Sequence, residues 1–510
     1  MPERTIDELV RSRAAERGAK PAVIDPGARI GYRELDTATR DLAAVFVEAG
    51  VGKGTRVGLI MPNSVRWVLV AIALARIGAV LVPLSTLLRA GELVAQLRTA
   101  SVQFLVSVEE FRGHRYLDDL SPVPSPDLPA LRQVWPADRL TRTTAAEEAR
   151  RIVDAMAETV SPADPLVVMF TSGSSGTPKG VIHSHGSALG AVRSGLAARR
   201  ITSDTRLYLP MPFFWVGGYG SGILSALLAG ATLVTEEIPR PETTLRLLEA
   251  ERVTLFRGWP DQAEALARHA ETVGADLSAL RPGSLEALLP PERRAQPGAR
   301  ATLFGMTEAF GPYCGYAADT DMPRSARGSC GKPFPGMEVR IVDPDAGEPV
   351  PPGSVGEIQI RGPHTLRGIC RRSREELFTA DGFYPTGDLG RLDEDGFLFY
   401  HGRSDDMFKV SGATVYPSEV GRALRSLDGV QNAYVTNVPG AQGERVGAAV
   451  VCDGALTADQ LRAAARELLS AFKVPTVWLV LESDDDVPRG ATGKVDTKRL
   501  RELLIEAKRP

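Results

Sequence analysis

Along the first hundred residues apolar positions recur by turns at helical and at strand spacing. Thr5 followed three residues later by Glu8 forms a capping box, after which Ile6, Leu9 and Val10 mark one helical face until Gly18. The pattern then predicts helix 32–48 ended by Gly50, strand 56–61, helix 64–76, strand 79–82, helix 92–100 and strand 103–107. Such alternation is the mark of an α/β layered sheet. The stretch 122–151, rich in Pro, Asp and Arg and poorly periodic, reads as a long surface excursion between two sheet-based lobes. Alternation resumes with strand 165–170, strand 207–209, helix 217–228, strand 232–235, helix 243–251 and strand 253–256. Beyond residue 327 the rhythm changes: RGSCGKPFPGMEVRIVD, GEIQIRG and GFLFYHGR alternate apolar with polar positions between Gly and Pro, predicting antiparallel strands in a small barrel or sandwich.

A chain of 510 residues exceeds one core, so two or more domains are expected. Its net charge of -3 offers no field to attract a nucleic acid. The four cysteines, Cys314, Cys330, Cys370 and Cys452, have no CxxC spacing, which suggests neither a zinc site nor a disulfide framework and points to reducing cytosol. Residues 1–20 are charged throughout and lack the apolar core of a secretory signal. The apolar run 67–84 contains Arg76 and Gly78, and a helix followed by a buried strand explains it better than a membrane span.

The strongest chemical signal is TSGSSGTPKGV (171–181), which leaves the apolar strand PLVVMF. Glycines let backbone N–H groups converge on an anion, the hydroxyls of Thr171, Ser172, Ser174, Ser175 and Thr177 add donors, and Lys179 supplies a point charge. The spacing is not that of a Walker A loop, and the plain alternative is a flexible Gly/Ser linker. In PMPFFWVGGYGSG (210–222) aromatics adjoin a glycine-rich helix start, which suits either a slot for something flat or an aromatic core packed on glycines. In LFGMTEAFG (303–311) Thr307 and Glu308 offer oxygens to Mg²⁺ and Phe304 a face to a nucleobase; a lone Thr-Glu pair is otherwise a helix start. In YPTGDLG (384–390) Asp388 follows a Gly turn, fit for a ribose diol or simply for the turn.

Taken with GYREL (31–35), ARIGAVLVPL (75–84), GRSDD (402–406), AFKVP (471–475) and PRGATGK (488–494), these segments resemble, in order and over nearly the full length, the motif series of the adenylate-forming superfamily of acyl-CoA synthetases, adenylation domains and firefly-type luciferases. The resemblance implies an N-terminal domain (1–402) of two α/β sheet lobes plus a β-barrel lobe, a hinge (403–405) and a mobile α+β C-terminal domain (406–510) of about a hundred residues. The implied activity is that of an ATP-dependent acyl-CoA ligase: a carboxylate attacks the α-phosphate of ATP, and a thiol then displaces AMP. By similarity Ser172, Gly173, Ser174, Ser175, Gly176, Thr177 and Lys179 hold the β- and γ-phosphates, with Thr171 and Glu308 near Mg²⁺ and Thr307 beside them. Phe304, Gly305 and Met306 face adenine, Phe304 standing where the family usually has Tyr, and Asp388 and Arg403 bind ribose. Lys494 matches the catalytic lysine, Asp405 the hinge, and KVSGATVYP (409–417), with Lys409, Ser411 and Gly412, the face shown to the thiol.

The resemblance further implies an acyl pocket near Trp215, Gly217, Gly218, Tyr219, Trp259, Phe310 and Gly311, apolar and without an obvious countercharge, hence a hydrophobic acid: fatty, aryl or polycyclic. FFWVGG (213–218) lacks the Asp with which amino-acid-activating members hold the substrate ammonium. No carrier-protein module follows, which favours free CoA as acceptor over a carrier protein. The implied cofactors are ATP, Mg²⁺ and coenzyme A, in the cytoplasm, with a homodimer as an admissible assembly. Two departures stand out: Trp215 replaces the customary His, and the family's adenine loop is unrecognisable in 280–308, where Arg281 to Ser284 form at most a remnant. An enzyme that only thioesterifies a preformed acyl-adenylate is therefore a second reading, and a non-catalytic adenylate-binding protein a third.

Overall fold

Helix Val65–Arg76 carries apolar side chains all round, and all but one of its residues from Trp67 onward to Arg76 are buried, so it must lie inside the protein. A computed structural model of the chain, describing residues 4–142, 145–171, 179–258, 260–404, 408–410, 413–440, 443–452, 456–469, 471–490 and 493–507, places it so. The chain divides into two compact units, Met1–Glu338 with Arg361–Gly382, and Val339–Ile360 with Phe383–Pro510.

The first unit holds a seven-stranded sheet in the order Gly368–Ile369, Lys179–Ser184, Pro165–Thr171, Val80–Leu84, Arg56–Ile60, Phe104–Ser107, Gln133–Pro136. From Pro165–Thr171 onward the pairing is parallel; the first two strands run antiparallel to their neighbours. A five-stranded sheet follows the order Leu255–Phe256, Arg206–Tyr208, Thr232–Val234, Pro21–Asp25, Ala28–Gly31, parallel except for the last pair. Leu59 and Leu81 of one sheet share a single apolar core with Val23, Leu207 and Leu233 of the other, filled by helices Ile6–Arg17, Tyr32–Glu48 and Val65–Arg76. The capping box at Thr5 and Glu8 is present. Arg76, the charge inside the apolar run, is buried with Nη2 2.9 Å from Asp7 Oδ1 and Nη1 2.5 Å from Asp36 Oδ1, which pairs the cation with two carboxylates within the protein. Among the described residues no helix is long and apolar enough to cross a membrane.

The stretch 122–151 corrects the expectation of a surface excursion. It contributes edge strand Gln133–Pro136, whose Trp135 stacks on Phe46 at 5.8 Å, and the start of helix Glu147–Thr159. That helix buries Ala149, Val153 and Ala157, one stripe at i, i+4 and i+8, and is tied to helix Tyr32–Glu48 by Arg40–Asp154 and Arg150–Asp41 ion pairs. The antiparallel segments past residue 300 form two sheets, one in each unit. Strands Phe304–Met306, Gly311–Gly315 and Lys332–Pro333 make a sheet of three in the first unit.

In the second unit, Glu338–Val342, Gly356–Arg361, Tyr384–Leu392 and Leu398–Arg403 make an open sheet of four. A three-stranded sheet, Val430–Gly440, Gly443–Cys452 and Val477–Leu481, packs with helices Pro417–Arg425, Ala458–Leu468 and Thr497–Ala507.

Candidate active site

Strand Pro165–Thr171 pairs antiparallel with Lys179–Ser184, and Thr171 lies opposite Lys179. The cation expected at the phosphates therefore sits at the base of a hairpin, level with the first hydroxyl of the motif. Ser172, Gly173, Ser174, Ser175, Gly176 and Thr177 lie outside the described residues. A Cβ on Gly180 would lie 3.0 Å from both Val168 Cγ1 and Cys370 Sγ, so this strand is packed tightly on both flanks.

The segment FGMTEAFG forms a strand, Phe304–Met306, a single 3₁₀ turn, Thr307–Ala309, and a return strand, Gly311–Gly315. A sharp reversal is enforced at Phe310, whose φ of 55° is left-handed, and Gly305 must be glycine because a Cβ there would lie 2.2 Å from the Gly311 carbonyl oxygen. Glu308 is buried on this turn, and its carbonyl accepts a 2.7 Å bond from the Leu366 N–H. The turn is also held by His183, whose Nε2–H donates to the Thr307 carbonyl at 2.7 Å while its ring packs edge-on against Phe310 at 4.9 Å. Burial pushes the His183 pKa down to about 4, so the ring is neutral at pH 7 and Nδ1 carries no proton. This histidine was not singled out in the sequence, where it is one polar residue inside KGVIHS. Phe304 is partly exposed and meets Tyr313 edge-on at 5.5 Å.

Of the expected acyl-pocket residues, Trp215 and Gly217 are partly exposed, whereas Gly218, Tyr219, Phe310 and Gly311 are buried. Tyr219 and Phe213 pack edge-on against Trp67, and Asn63 ties the loop down by accepting from Phe213 N–H and donating to the Met211 carbonyl. A Cβ on Gly218 would meet the Pro212 carbonyl oxygen at 2.1 Å, and one on Gly220 would meet the Phe310 ring at 3.1 Å. Here, then, the chain itself fills the space beside Gly218 and Gly220, and these glycines serve packing. Helix Gly217–Leu224 is π-wound, its last bond running from Ser225 N–H to the Gly220 carbonyl, a rare form that is frequent at functional sites. Trp259 lies outside the described residues.

A buried cation, Arg257, stands just past strand Leu255–Phe256. Its Nε and Nη2 are buried without a hydrogen-bond partner among the described residues. The segment from Arg281 to Ser284 runs along the same strand, with Arg281 N–H donating to the Thr254 carbonyl and Leu285 N–H to the Phe256 carbonyl.

In the second unit Asp388 and Arg403 face each other across two antiparallel strands, Nη1 to Oδ1 3.3 Å, with Nη1 also donating to the Thr386 carbonyl at 2.9 Å. Gly387, at φ 70°, makes room for the guanidinium: a Cβ would lie 2.9 Å from Nη2. Lys494 is exposed on a turn closed by a 2.8 Å bond from Gly490 N–H to its own carbonyl, with Gly493 left-handed. Lys409 lies in strand Phe408–Val410, paired with Ala413–Val415; Asp405, Ser411 and Gly412 lie outside the described residues.

The AMP-binding enzyme family matches residues 10–370, and the chain belongs to that family. It is 34% identical over 522 residues to the 3-[(3aS,4S,7aS)-7a-methyl-1,5-dioxo-octahydro-1H-inden-4-yl]propanoyl:CoA ligase of Mycobacterium tuberculosis, covering 98% of each chain. It is 32% identical over 524 residues to the enzyme of the same name in Rhodococcus jostii, again covering 98% of each. The anthranilate CoA ligase AuaEII, solved in complex with anthranoyl-AMP, shares the fold with a TM-score of 0.81 at 22% identity, covering 98% of this chain and 97% of that one. The chain is an AMP-forming acid–thiol ligase that uses ATP and CoA.

Proposed function

We propose that the protein joins a hydrophobic, ring-bearing carboxylic acid to CoA through an acyl-adenylate. Support comes from the hydrogen bond between His183 and the Thr307 carbonyl, which ties the turn bearing Glu308 to the strand that begins at Lys179. Two groups suited to the two ends of a triphosphate complex, an ammonium and a carboxylate, thus belong to one rigid assembly. The acid class is drawn from the partly apolar surroundings of Trp215 and from the fused-ring acid named for the two bacterial relatives.

In the first half-reaction the acid's carboxylate oxygen attacks the α-phosphorus and pyrophosphate leaves. Lys179 and the hydroxyl-lined segment after Thr171 hold the β- and γ-phosphates, and the Phe304 ring stacks on adenine. Asp388 accepts hydrogen bonds from the ribose hydroxyls, with Arg403 fixing its orientation. Thr171 and Glu308 supply hard oxygen donors, a set that suits Mg²⁺, which takes one or two protein ligands and completes its shell from phosphates and water. Bound there, Mg²⁺ neutralises charge on the phosphates. Lys494 brings an ammonium to the acid's carboxylate and the α-phosphate as negative charge builds. In the second half-reaction the CoA thiolate attacks the acyl carbon and AMP leaves. A rotation about Asp405 withdraws Lys494 and presents the hairpin around Lys409, Ser411 and Gly412, so that one site serves both reactions. The domain boundary at residues 403–405 is part of this proposal.

The test is ATP–pyrophosphate exchange with a panel of carboxylic acids, beside thioester formation with CoA. Exchange plus ligation for ring-bearing acids is the expected outcome. Ligation only from synthetic acyl-adenylates, without exchange, would overturn it.

A further inference from the structure

Arg257 stands just past the carboxyl end of strand Leu255–Phe256, within electrostatic reach of Arg199 and Arg281, and among the described residues no carboxylate meets the three. Arg199 is buried and spends its donors on the Gly195 and Val192 carbonyls and the Ser225 hydroxyl. Arg281 donates to the Arg200 carbonyl and the Thr205 hydroxyl. Arg257 buries Nε and Nη2 with no hydrogen-bond partner among the described residues. Burial and the mutual repulsion of the guanidiniums pull Arg199 down to about 9 and Arg257 to about 10, so both still carry charge at pH 7. An enclosed cation with idle donors is costly unless something supplies oxygens to it.

The idle atoms identify that something. Nε and Nη2 form the side-on fork of a guanidinium, the face that grips two oxygens of one planar group. This chain uses that same fork elsewhere: Arg40 holds Asp154 by Nε at 2.8 Å and Nη2 at 2.6 Å, and Arg361 holds Glu338 by Nε at 3.2 Å and Nη2 at 2.6 Å. On Arg257 the fork is built and unfilled. Its position is that of a ligand-binding residue in an open α/β sheet, at the carboxyl ends of parallel strands. Arg257 N–H bonds to the Tyr208 carbonyl, so its backbone runs beside the aromatic segment that leaves the sheet at Leu209. Arg199, which repels Arg257, is joined through the Ser225 hydroxyl to the Gly220 carbonyl of the π-wound helix carrying Gly217 and Tyr219.

Resting on the acyl-CoA ligase reading above, we infer that Arg257 is a specificity residue, and that the acid carries, away from its reacting carboxyl, a group of acceptor oxygens, a second carboxylate or a ketone, which this fork receives. An acid bearing a donor or bare hydrocarbon at that end would leave the guanidinium unpaired, and sites built to hydrogen-bond discriminate strongly against such analogues.

The experiment compares three acids on one ring skeleton, ending distally in a carboxylate, a ketone or a methyl group, by kcat/KM for CoA thioester formation. The wild-type enzyme should favour one or both oxygen-bearing acids over the methyl analogue by at least about 10²-fold. The ranking of carboxylate against ketone identifies which oxygen group is the natural one. In Arg257→Met the ratio to the methyl analogue should collapse to within about threefold, and Arg257→Lys should restore part of it, because an ammonium keeps charge but not the fork. The acids' ability to raise the melting temperature, measured without ATP, gives a second readout that survives loss of turnover: the oxygen-bearing acids should raise it in wild type and not in Arg257→Met. Thioesters formed from all three acids without preference would overturn this inference and leave the ligase reading standing. No thioester from any acid, with no exchange, would overturn both. Equal loss with all three acids in a folded Arg257→Met protein would assign the residue to structure alone and overturn the inference.

Discussion

Replacing His183 by Phe separates two things the histidine does. The ring contact with Phe310 is retained, whereas the Nε2–H donor to the Thr307 carbonyl, 2.7 Å away, is lost. Stability should change little. An unpaired carbonyl costs about 1–3 kcal/mol, but the substitution also removes Nδ1, which is buried without a partner, so the two effects oppose each other and a net loss of about 1 kcal/mol is expected. Function should change more. The turn Thr307–Ala309 loses one of two anchors, the other being the Leu366 N–H bond to the Glu308 carbonyl, and a shift of about 1 Å in a positioning group lowers rate by about 10²-fold. Pyrophosphate exchange as a function of ATP concentration reads this directly, with a urea melt on the same sample to fix the stability change. His183→Gln, which keeps an N–H donor near the same place, should recover part of the loss. Wild-type exchange kinetics in a folded His183→Phe protein would refute the view that this bond positions the turn.

Lys494→Ala should lower pyrophosphate exchange by at least about 10²-fold while sparing thioester formation from a preformed acyl-adenylate, since its charge is needed only as phosphorus is attacked; equal loss of both steps would count against the assigned role. Acid should destabilise the fold through His183 and His185, whose pKa values burial holds at about 4 against an ordinary 6.5. Above pH 6.5 both states are neutral and these residues contribute no slope; as pH falls from 6.5 toward 4 the unfolded chain takes up protons that the fold refuses, at a cost of up to about 3 kcal/mol for each. Urea melts between pH 7 and 4.5 should show this, and His183→Phe should show a shallower decline; an identical slope in the variant would refute the assignment.

Where chemistry and periodicity are local, the sequence was readable. Helix Tyr32–Glu48 follows from a run whose buried positions repeat at helical period, strand Arg56–Ile60 from a short run buried almost throughout, and the Thr5–Glu8 cap needs only four residues to be seen. Strand Gln133–Pro136 was missed because only Trp135 of its four side chains is buried, and what buries it, Phe46 and Phe104, is remote in sequence. The same holds for His183 and Arg257. Each interrupts a strand-like run with a residue type that is ordinarily exposed, and nothing in the neighbouring letters says whether the polar end reaches water or stays inside. Buried polar residues depend on partners, and partners are tertiary facts. The motif around Thr171 and Lys179 was legible as chemistry, yet its setting as a hairpin between antiparallel strands was not, since the apolar run Val181 and Ile182 is too short to distinguish a strand from the start of the following helix.

That setting changes the electrostatic account of the phosphate segment. In a strand–loop–helix cradle the helix N-terminus provides about half a positive charge, fixed in place. Here the chain enters strand Lys179–Ser184 after the segment, and helix His185–Leu196 starts only at the strand's far end, so no helix N-terminus follows the anion-binding residues directly. In the proposed mechanism the positive field therefore comes chiefly from the Lys179 ammonium, a full charge on a flexible stem. A movable cation is suited to phosphates that must leave as pyrophosphate before the thiol step begins. The carboxylate side is built the opposite way: Gly305 pressed on the Gly311 carbonyl, Phe310 held left-handed, and His183 and Leu366 bonded to the backbone of the turn leave Glu308 little freedom. In the mechanism proposed above, a yielding cation paired with an unyielding carboxylate lets the spent phosphates depart without disturbing the residues that hold the adenylate for its second reaction.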